Sequence, residues 1–275
     1  RHDFAAAPQR VATLAPSLTE LVHAAGAGAR LVATVMGSDY PPSARTLPSV
    51  GDYQRVDVER LLQLKPDVVL VWTSGNSQRE LAQIASAGVP VVHLEPRRLD
   101  DVPRAIERLG DLLGTAGAAQ RSAQGLRGTL ASLAKQYADK APVAVFYQVW
   151  SRPLLTLNDQ HLISDVLRLC GGRNVFGALT TLVPEVSTES VAAAKPELIL
   201  SARSSVPGDD AAARREPNAP TFAAWRPLRA SLPAAARGWM YTLPGDEISR
   251  QGPRIDLGAR AVCSAIDEVR RERDA

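Results

Sequence analysis

V-D-V-E-R-L-L-Q-L-K-P-D-V-V-L-V-W, from Val56 to Trp72, returns without a gap as V-S-T-E-S-V-A-A-A-K-P-E-L-I-L-S-A, from Val186 to Ala202. Glu59 aligns with Glu189, Lys65-Pro66-Asp67 with Lys195-Pro196-Glu197, and an apolar run closes each copy. Each copy reads as a helix start, a short helix, a Lys-Pro stop and a buried strand. Asp57 and Ser187 suit the N-cap, and neither Pro66 nor Pro196 can continue a helix. Copies so far apart are too widely spaced for a solenoid unit, so two related α/β halves facing one another across a cleft are expected.

Working outward from the first copy, apolar strands and helices alternate. Residues 10–15 read as a strand, 17–27 as a helix capped by Ser17 with Glu20 at the capping-box position, and 31–35 as a second strand. A helix over about 76–87, stopped by Gly88, and a strand at 91–94 follow the first copy. Helical periodicity then runs from about 99 to 136 with a break at 114–117, and its second part is long enough to be a rigid connector. Beyond Pro142 the alternation restarts with a strand at 143–149, a helix at 162–170, the second copy, a strand at 239–243 and a last helix from Pro253 to about 271. Strands separated by crossover helices indicate parallel sheets. The expected division is an N-terminal α/β lobe over 10–115, a connecting helix over 116–140 and a C-terminal α/β lobe over 141–275. The span 203–220, rich in Pro, Asp, Ala and Arg, reads as a mobile surface loop.

Composition narrows the class. With 275 residues and 45% hydrophobic content the chain can bury a substantial core. Its net charge is +3, and the pI of about 9.1 comes without an aromatic-interleaved basic stripe, which argues against nucleic acid. No apolar run is long enough to span a bilayer and no cleavable leader is visible, so a soluble protein or the soluble mature part of one is expected. The two cysteines, Cys170 and Cys263, fall in the same half. A pair in one half suits a disulfide, which requires an oxidising compartment, and two buried thiols are the alternative. Walker A, Gly-x-Ser-x-Gly and His-Glu-x-x-His motifs are absent, and Gly26-x-Gly28 follows a helix rather than a strand, so an enzyme is not expected. The four histidines form no metal-ligand cluster; His23 and His93 read as structural, and His161, at a helix start, is the one to test as a ligand to iron or cobalt.

Further stretches carry a family likeness: residues 11–21 (V-A-T-L-A-P-S-L-T-E-L), Ser38-Asp39-Tyr40-Pro41-Pro42, the Glu59…Lys65-Pro66-Asp67 segment, Cys170-Gly171-Gly172-Arg173-Asn174-Val175-Phe176, and Asp246…Arg250…Pro253-Arg254-Ile255. Over about 11–269 the chain resembles the periplasmic vitamin B12-binding proteins of ABC cobalamin importers. The resemblance implies two α/β lobes joined by one long helix, here about 118–137, with cobalamin or another corrinoid held in the cleft. It also implies a Cys170–Cys263 disulfide, periplasmic residence, a monomer, and docking of Glu59 and Glu189 on arginines of the permease dimer. From spacing alone those glutamates would be helix-dipole partners worth about 0.3–1 kcal/mol each, or marks at equivalent points that a two-fold symmetric partner could grip.

A corrin presents a broad apolar face fringed by amides, so its receptor needs flat apolar side chains and a few polar groups. Trp72 and Tyr53 align with aromatic ligand contacts of that family, and Asp246 and Arg250 with polar ones; the plain alternative for the last two is a surface ion pair. Gly37, Leu155 and Val183 stand where family members carry aromatic contacts. Trp150 either fills that wall from another position or is ordinary core. Tyr40 is a ligand contact or a brace for its own turn. A haem or ferric-siderophore receptor of the same fold is the first alternative, a cytosolic metallo-tetrapyrrole enzyme the second.

Overall fold

The computed structural model describes residues 4, 6–52, 54–204 and 210–275. The chain falls into two compact units, Arg1–Pro96 with Asp100–Arg127 and Gln251–Pro253, and Arg97–Leu99 with Gly128–Arg250 and Arg254–Ala275.

In the first unit, strands β1 (Val11–Thr13), β2 (Leu31–Ala33), β3 (Val68–Trp72) and β4 (Val91–Leu94) form one sheet in the order β2-β1-β3-β4. All three pairings are parallel. Helices α1 (Pro16–Ala24), α2 (Val58–Gln63) and α3 (Gln78–Ser86) make the connections between the strands, and α4 (Asp101–Leu112) follows the last of them and packs on α1. A sheet so covered needs apolar side chains on both faces, and Val68 to Val71 are all fully buried. Val69 and Val71 pack with Leu61 of α2 and with Leu81 and Ile84 of α3. The first helix differs from the sequence reading. Pro16 occupies the first helical position and Ala15 the cap, with no side-chain bond, so Ser17 caps nothing. Proline's fixed φ and missing N–H suit that position.

Helix α5 (Ala116–Tyr137) runs 22 residues, the first twelve in the first unit and the rest in the second. Arg127 ties it to Glu107 of α4. Methyl groups placed on Gly125 or Gly128 would meet no atom within 4 Å.

The second unit contains β5 (Val143–Gln148), a small hairpin of β6 (Trp150–Ser151) and β7 (Leu154–Leu155), α6 (Leu162–Leu169), β8 (Gly172–Asn174), α7 (Thr188–Ala194), β9 (Leu198–Arg203), β10 (Arg214–Arg215), a 3-10 segment at Pro220–Leu228, α8 (Pro233–Arg237), β11 (Met240–Pro244), α9 (Gly245–Ser249) and α10 (Ile255–Asp274). Its main sheet has the order β10-β11-β9-β5-β8. Leaving out the antiparallel edge strand β10, the spatial order is second-first-third-fourth, as in the first unit. The strand β10 and its pairing with Thr242 and Tyr241 break up the span expected as a loop, of which residues 205–209 lie outside the described residues. Phe146 meets Phe176 and Trp225 edge to face in the core. A disulfide joins Cys170, just after α6, to Cys263 in α10.

The repeat is structural down to single atoms. Asp57 accepts a hydrogen bond from Arg60 N, and Ser187 from Ser190 N. Lys65 and Lys195 both take the left-handed conformation, at φ +45° and +47°, immediately before the proline. Asp67 then accepts from the backbone N–H groups of Gln9 and Arg10, and Glu197 from that of Ala144, so in both units this acid pins the start of the neighbouring strand.

Candidate ligand-binding site

In each unit the chain leaves the first strand toward one side and returns to the third on the other, which opens a crevice beyond their carboxyl ends where α/β proteins bind ligands. In the first unit Asn76 sits there. Its carboxamide is buried, accepts from Trp72 N at 2.7 Å and donates to the Leu14 carbonyl at 2.9 Å, fixing the ends of β1 and β3 to each other. Trp72 is half-buried and its indole lies across Gly75, where a Cβ would stand 1.9 Å from a ring carbon. Only glycine admits the ring in this position.

The loop after β2 is anchored from below by a buried hydroxyl chain, Thr13 to Thr19 at 2.7 Å and Thr19 to Ser38 at 3.2 Å. Above it Tyr40 is 43% exposed and Met36 69%. Met36 went unnoticed in the sequence because it continues the apolar strand pattern. Gly37, at φ +84°, makes the turn between them. Tyr53 lies outside the described residues; the carboxylate of Asp52 beside it accepts from the N–H groups of Gln54 and Arg55.

In the second unit Trp150 is 62% exposed, which removes the reading of it as core. It pairs with Leu155 across the β6–β7 hairpin, and its indole N–H donates to the Arg152 carbonyl. Residues 182–186 run along β7, through Thr156 N to Pro184 O, Asn158 N to Leu182 O and Val186 N to Leu154 O. Trp150, Leu155 and Val183, separated in sequence, thus belong to one backbone-paired assembly, with Leu179 and Leu182 exposed beside them.

Behind Trp150, Gln148 ends β5. Its amide donates to Ser151 Oγ at 2.9 Å and to the Thr221 carbonyl at 2.8 Å, and its oxygen accepts from Trp225 Nε1 at 2.7 Å. An open cavity of about 650 Å³ lies beside Thr221, lined also by Ala202, Arg203, Asn218 and Ala219. Asp246 lies in the first turn of α9 and Arg250 is the residue that caps its C-terminus, the two paired at 2.8 Å with side chains 22% and 16% exposed. Arg254 stands 3.8 Å from Asp246 and also bonds Glu247, so the pair belongs to a half-buried network and not to an isolated surface bridge.

His161 caps α6, its Nδ1 accepting from Ile163 N. Burial pulls its pKa from the usual 6.5 down to about 4 against the opposing pull of Asp165, so the ring is neutral at pH 7. That commits one ring nitrogen to the helix. His93 is exposed, and among the described residues no group of three or more His, Cys, Asp or Glu could hold a metal. Glu59 and Glu189 are both exposed in the first turns of α2 and α7, the helices that precede the third strand of each sheet. Hydrogen bonds from its own backbone N–H, Ser187 and Thr188 hold the Glu189 carboxyl below its ordinary pKa. Among the described residues neither glutamate makes an ion pair.

Residues 11–247 match the sequence pattern of the family described as periplasmic binding protein. A vitamin B12-binding protein of Photorhabdus laumondii is 38% identical over 268 residues, which span 97% of this chain and 91% of that one. A vitamin B12-binding protein of Pectobacterium atrosepticum is 36% identical over 272 residues, 96% and 91% of the two chains. Among solved structures, the periplasmic vitamin B12-binding protein of Vibrio cholerae superposes with a TM-score of 0.82 at 32% identity, covering 95% of this chain and 98% of that one. A periplasmic haem-binding protein of Pseudomonas aeruginosa gives 0.76 at 27% identity, covering 94% and 92%.

Proposed function

The chain belongs to the periplasmic binding protein family, and we propose that it captures cobalamin or a related corrinoid in the periplasm and delivers it, as a monomer, to an ABC importer. The observation that carries this reading is the 38% identity to a vitamin B12-binding protein along nearly the whole chain. The side chains suit such a cargo. Trp72 and Tyr40 in the first unit, and Trp150, Leu155 and Val183 in the second, offer flat apolar surface for a corrin face, with Tyr53 assigned the same role. Asp246 and Arg250 present charge and hydrogen-bonding capacity to its amide fringe. Glu59 and Glu189, at matching points of two like units, are the permease contacts.

Calorimetric titration of ligand-free protein with cyanocobalamin, cobinamide, haemin and a ferric hydroxamate siderophore tests the cargo. Saturable one-to-one binding of a corrinoid is expected. Binding of haemin or siderophore with neither corrinoid bound would move the protein to another branch of the same fold.

A further inference from the structure

The second unit carries a segment that the first lacks. Between β3 and β4 the first unit needs only residues 73–90, with α3 as the one helix; between β9 and β11 the second uses 204–239. Part of this longer connection is the 3-10 segment Pro220–Leu228, and Arg229 follows it in helical conformation. Residues three apart eclipse one another in a 3-10 helix, and burial here follows that period. Phe222 and Trp225 are fully buried, and Leu228 packs against the same core cluster, which also holds Val191 of α7. Ala223, Arg226 and Arg229 make the next column and Ala224, Pro227 and Ala230 the third, all of them exposed. Two guanidinium groups thus stand one turn apart on a face whose other side chains are small.

No acid answers them. From Pro217 to Gly245 the chain contains Arg226, Arg229 and Arg237 and neither Asp nor Glu. Arg226 donates to the Asn218 carbonyl, and among the described residues neither it nor Arg229 makes an ion pair. Arg237 lies over the Trp239 ring at 5.0 Å and acts on Glu272, which sets it apart from the other two. Glu216, the last acid before the segment, is bonded to Thr242.

The form of the face says what kind of partner it fits. A protein interface is centred on large anchors such as Trp or Tyr, and among the described residues no large apolar side chain between 217 and 245 is exposed. Small neighbours instead let a flat surface reach both arginines at once. A layer of phosphate groups is such a surface, and the planar fork of arginine bonds phosphate oxygens in pairs.

From the period-three burial, the two unanswered arginines and the small side chains between them, we propose that the Arg226–Arg229 face is a contact for the anionic headgroups of a membrane surface. The same core layer lies under this face and under α7, whose Glu189 is exposed. A unit held to a membrane-embedded permease by that glutamate would therefore have the strip as a second foothold. The proposal rests on the delivery reading only for the occasion of meeting a membrane, and its test contains neither permease nor ligand, so either can fail alone.

The test is flotation of the protein with vesicles of phosphatidylcholine alone and of phosphatidylcholine mixed with phosphatidylglycerol. Binding is expected to the mixed vesicles at low ionic strength, falling at about 0.15 M salt, with little binding to phosphatidylcholine. Arg226→Gln with Arg229→Gln should weaken it about tenfold or more, and Arg229→Gln alone, which removes no hydrogen bond of the fold, about threefold or more. Arg226→Lys with Arg229→Lys should retain most of it. Lys135→Gln with Arg260→Gln removes the same charge from exposed positions on α5 and α10 and should change binding by about twofold at most. Equal losses in the two paired Gln variants would reduce the attraction to net charge and overturn the proposal. Equal binding to both kinds of vesicle, or binding to neither, would overturn it as well. Unchanged vesicle binding with weakened attachment to the permease in detergent would give the face to a protein partner instead.

Discussion

Trp72 and Trp150 hold opposite positions for the same residue type, one half-buried across a glycine and the other exposed on a hairpin. Replacing Trp72 by alanine is expected to weaken corrinoid binding by about 1–3 kcal/mol, as for a buried aromatic anchor. Calorimetry checks this, and an unchanged affinity would assign the ring to packing. His161 gives a pH prediction. Its native pKa of about 4 lies below the unfolded value near 6.5, so the unfolded chain binds the extra proton between those limits. The stability it contributes is complete above about pH 6.5 and falls as the pH drops toward 4, by at most about 3 kcal/mol. His161→Asn keeps a capping side chain and cannot titrate, so its melting temperature should vary less with pH over that window than the wild type's. At this scale the sequence was only partly legible. The run Val143 to Trp150 is apolar almost throughout, and nothing in its pattern says that burial stops after Gln148. Asn76 was missed because its function depends on Leu14, a neighbour only after folding.

At the scale of elements, the capped helix, Lys-Pro stop and buried strand of each repeat copy were legible because every signal there is local. The start of α1 was misread because Ser17 and Glu20 mimic a capping box, while Pro16 takes the first helical position. Two-residue strands such as β10 leave no periodic trace, since their pairing partners set them. Asn76→Ala would strip partners from the Leu14 carbonyl and the Trp72 N–H together, and a loss of about 2–4 kcal/mol is expected in denaturant unfolding. The disulfide closes a span of 93 residues between the end of α6 and α10. Its reduction should cost up to about 4–5 kcal/mol in the loop-entropy account, read as a lower unfolding midpoint with reductant.

For the whole molecule, the shared strand order shows that the repeat reflects two units built alike, and Glu59 and Glu189 occupy the same place in each. The Glu59→Ala, Glu189→Ala double variant should bind ligand as the wild type does and transport it poorly in a reconstituted importer. Normal transport would remove the docking assignment. Within α5, Gly125 and Gly128 fill no steric need. Exchanging both for alanine should stabilise that helix by about 1 kcal/mol per site, measured as slower amide exchange along it.

The stretch bearing Leu182 and Val183 is held beside β7 and the residues after it by main-chain hydrogen bonds, in which the carbonyls of Leu182 and Pro184 accept from Asn158 N and Thr156 N, and every residue type supplies such a carbonyl. Side chains there can be exchanged without rebuilding the scaffold that presents them. A lineage carrying this chain can therefore drift from one tetrapyrrole cargo to another by a few substitutions in a single stretch, while the duplicated strands and their proline-stopped helices remain under purifying selection. Diversity among relatives should accordingly concentrate at 179–183 and fall away at Lys65-Pro66 and Lys195-Pro196.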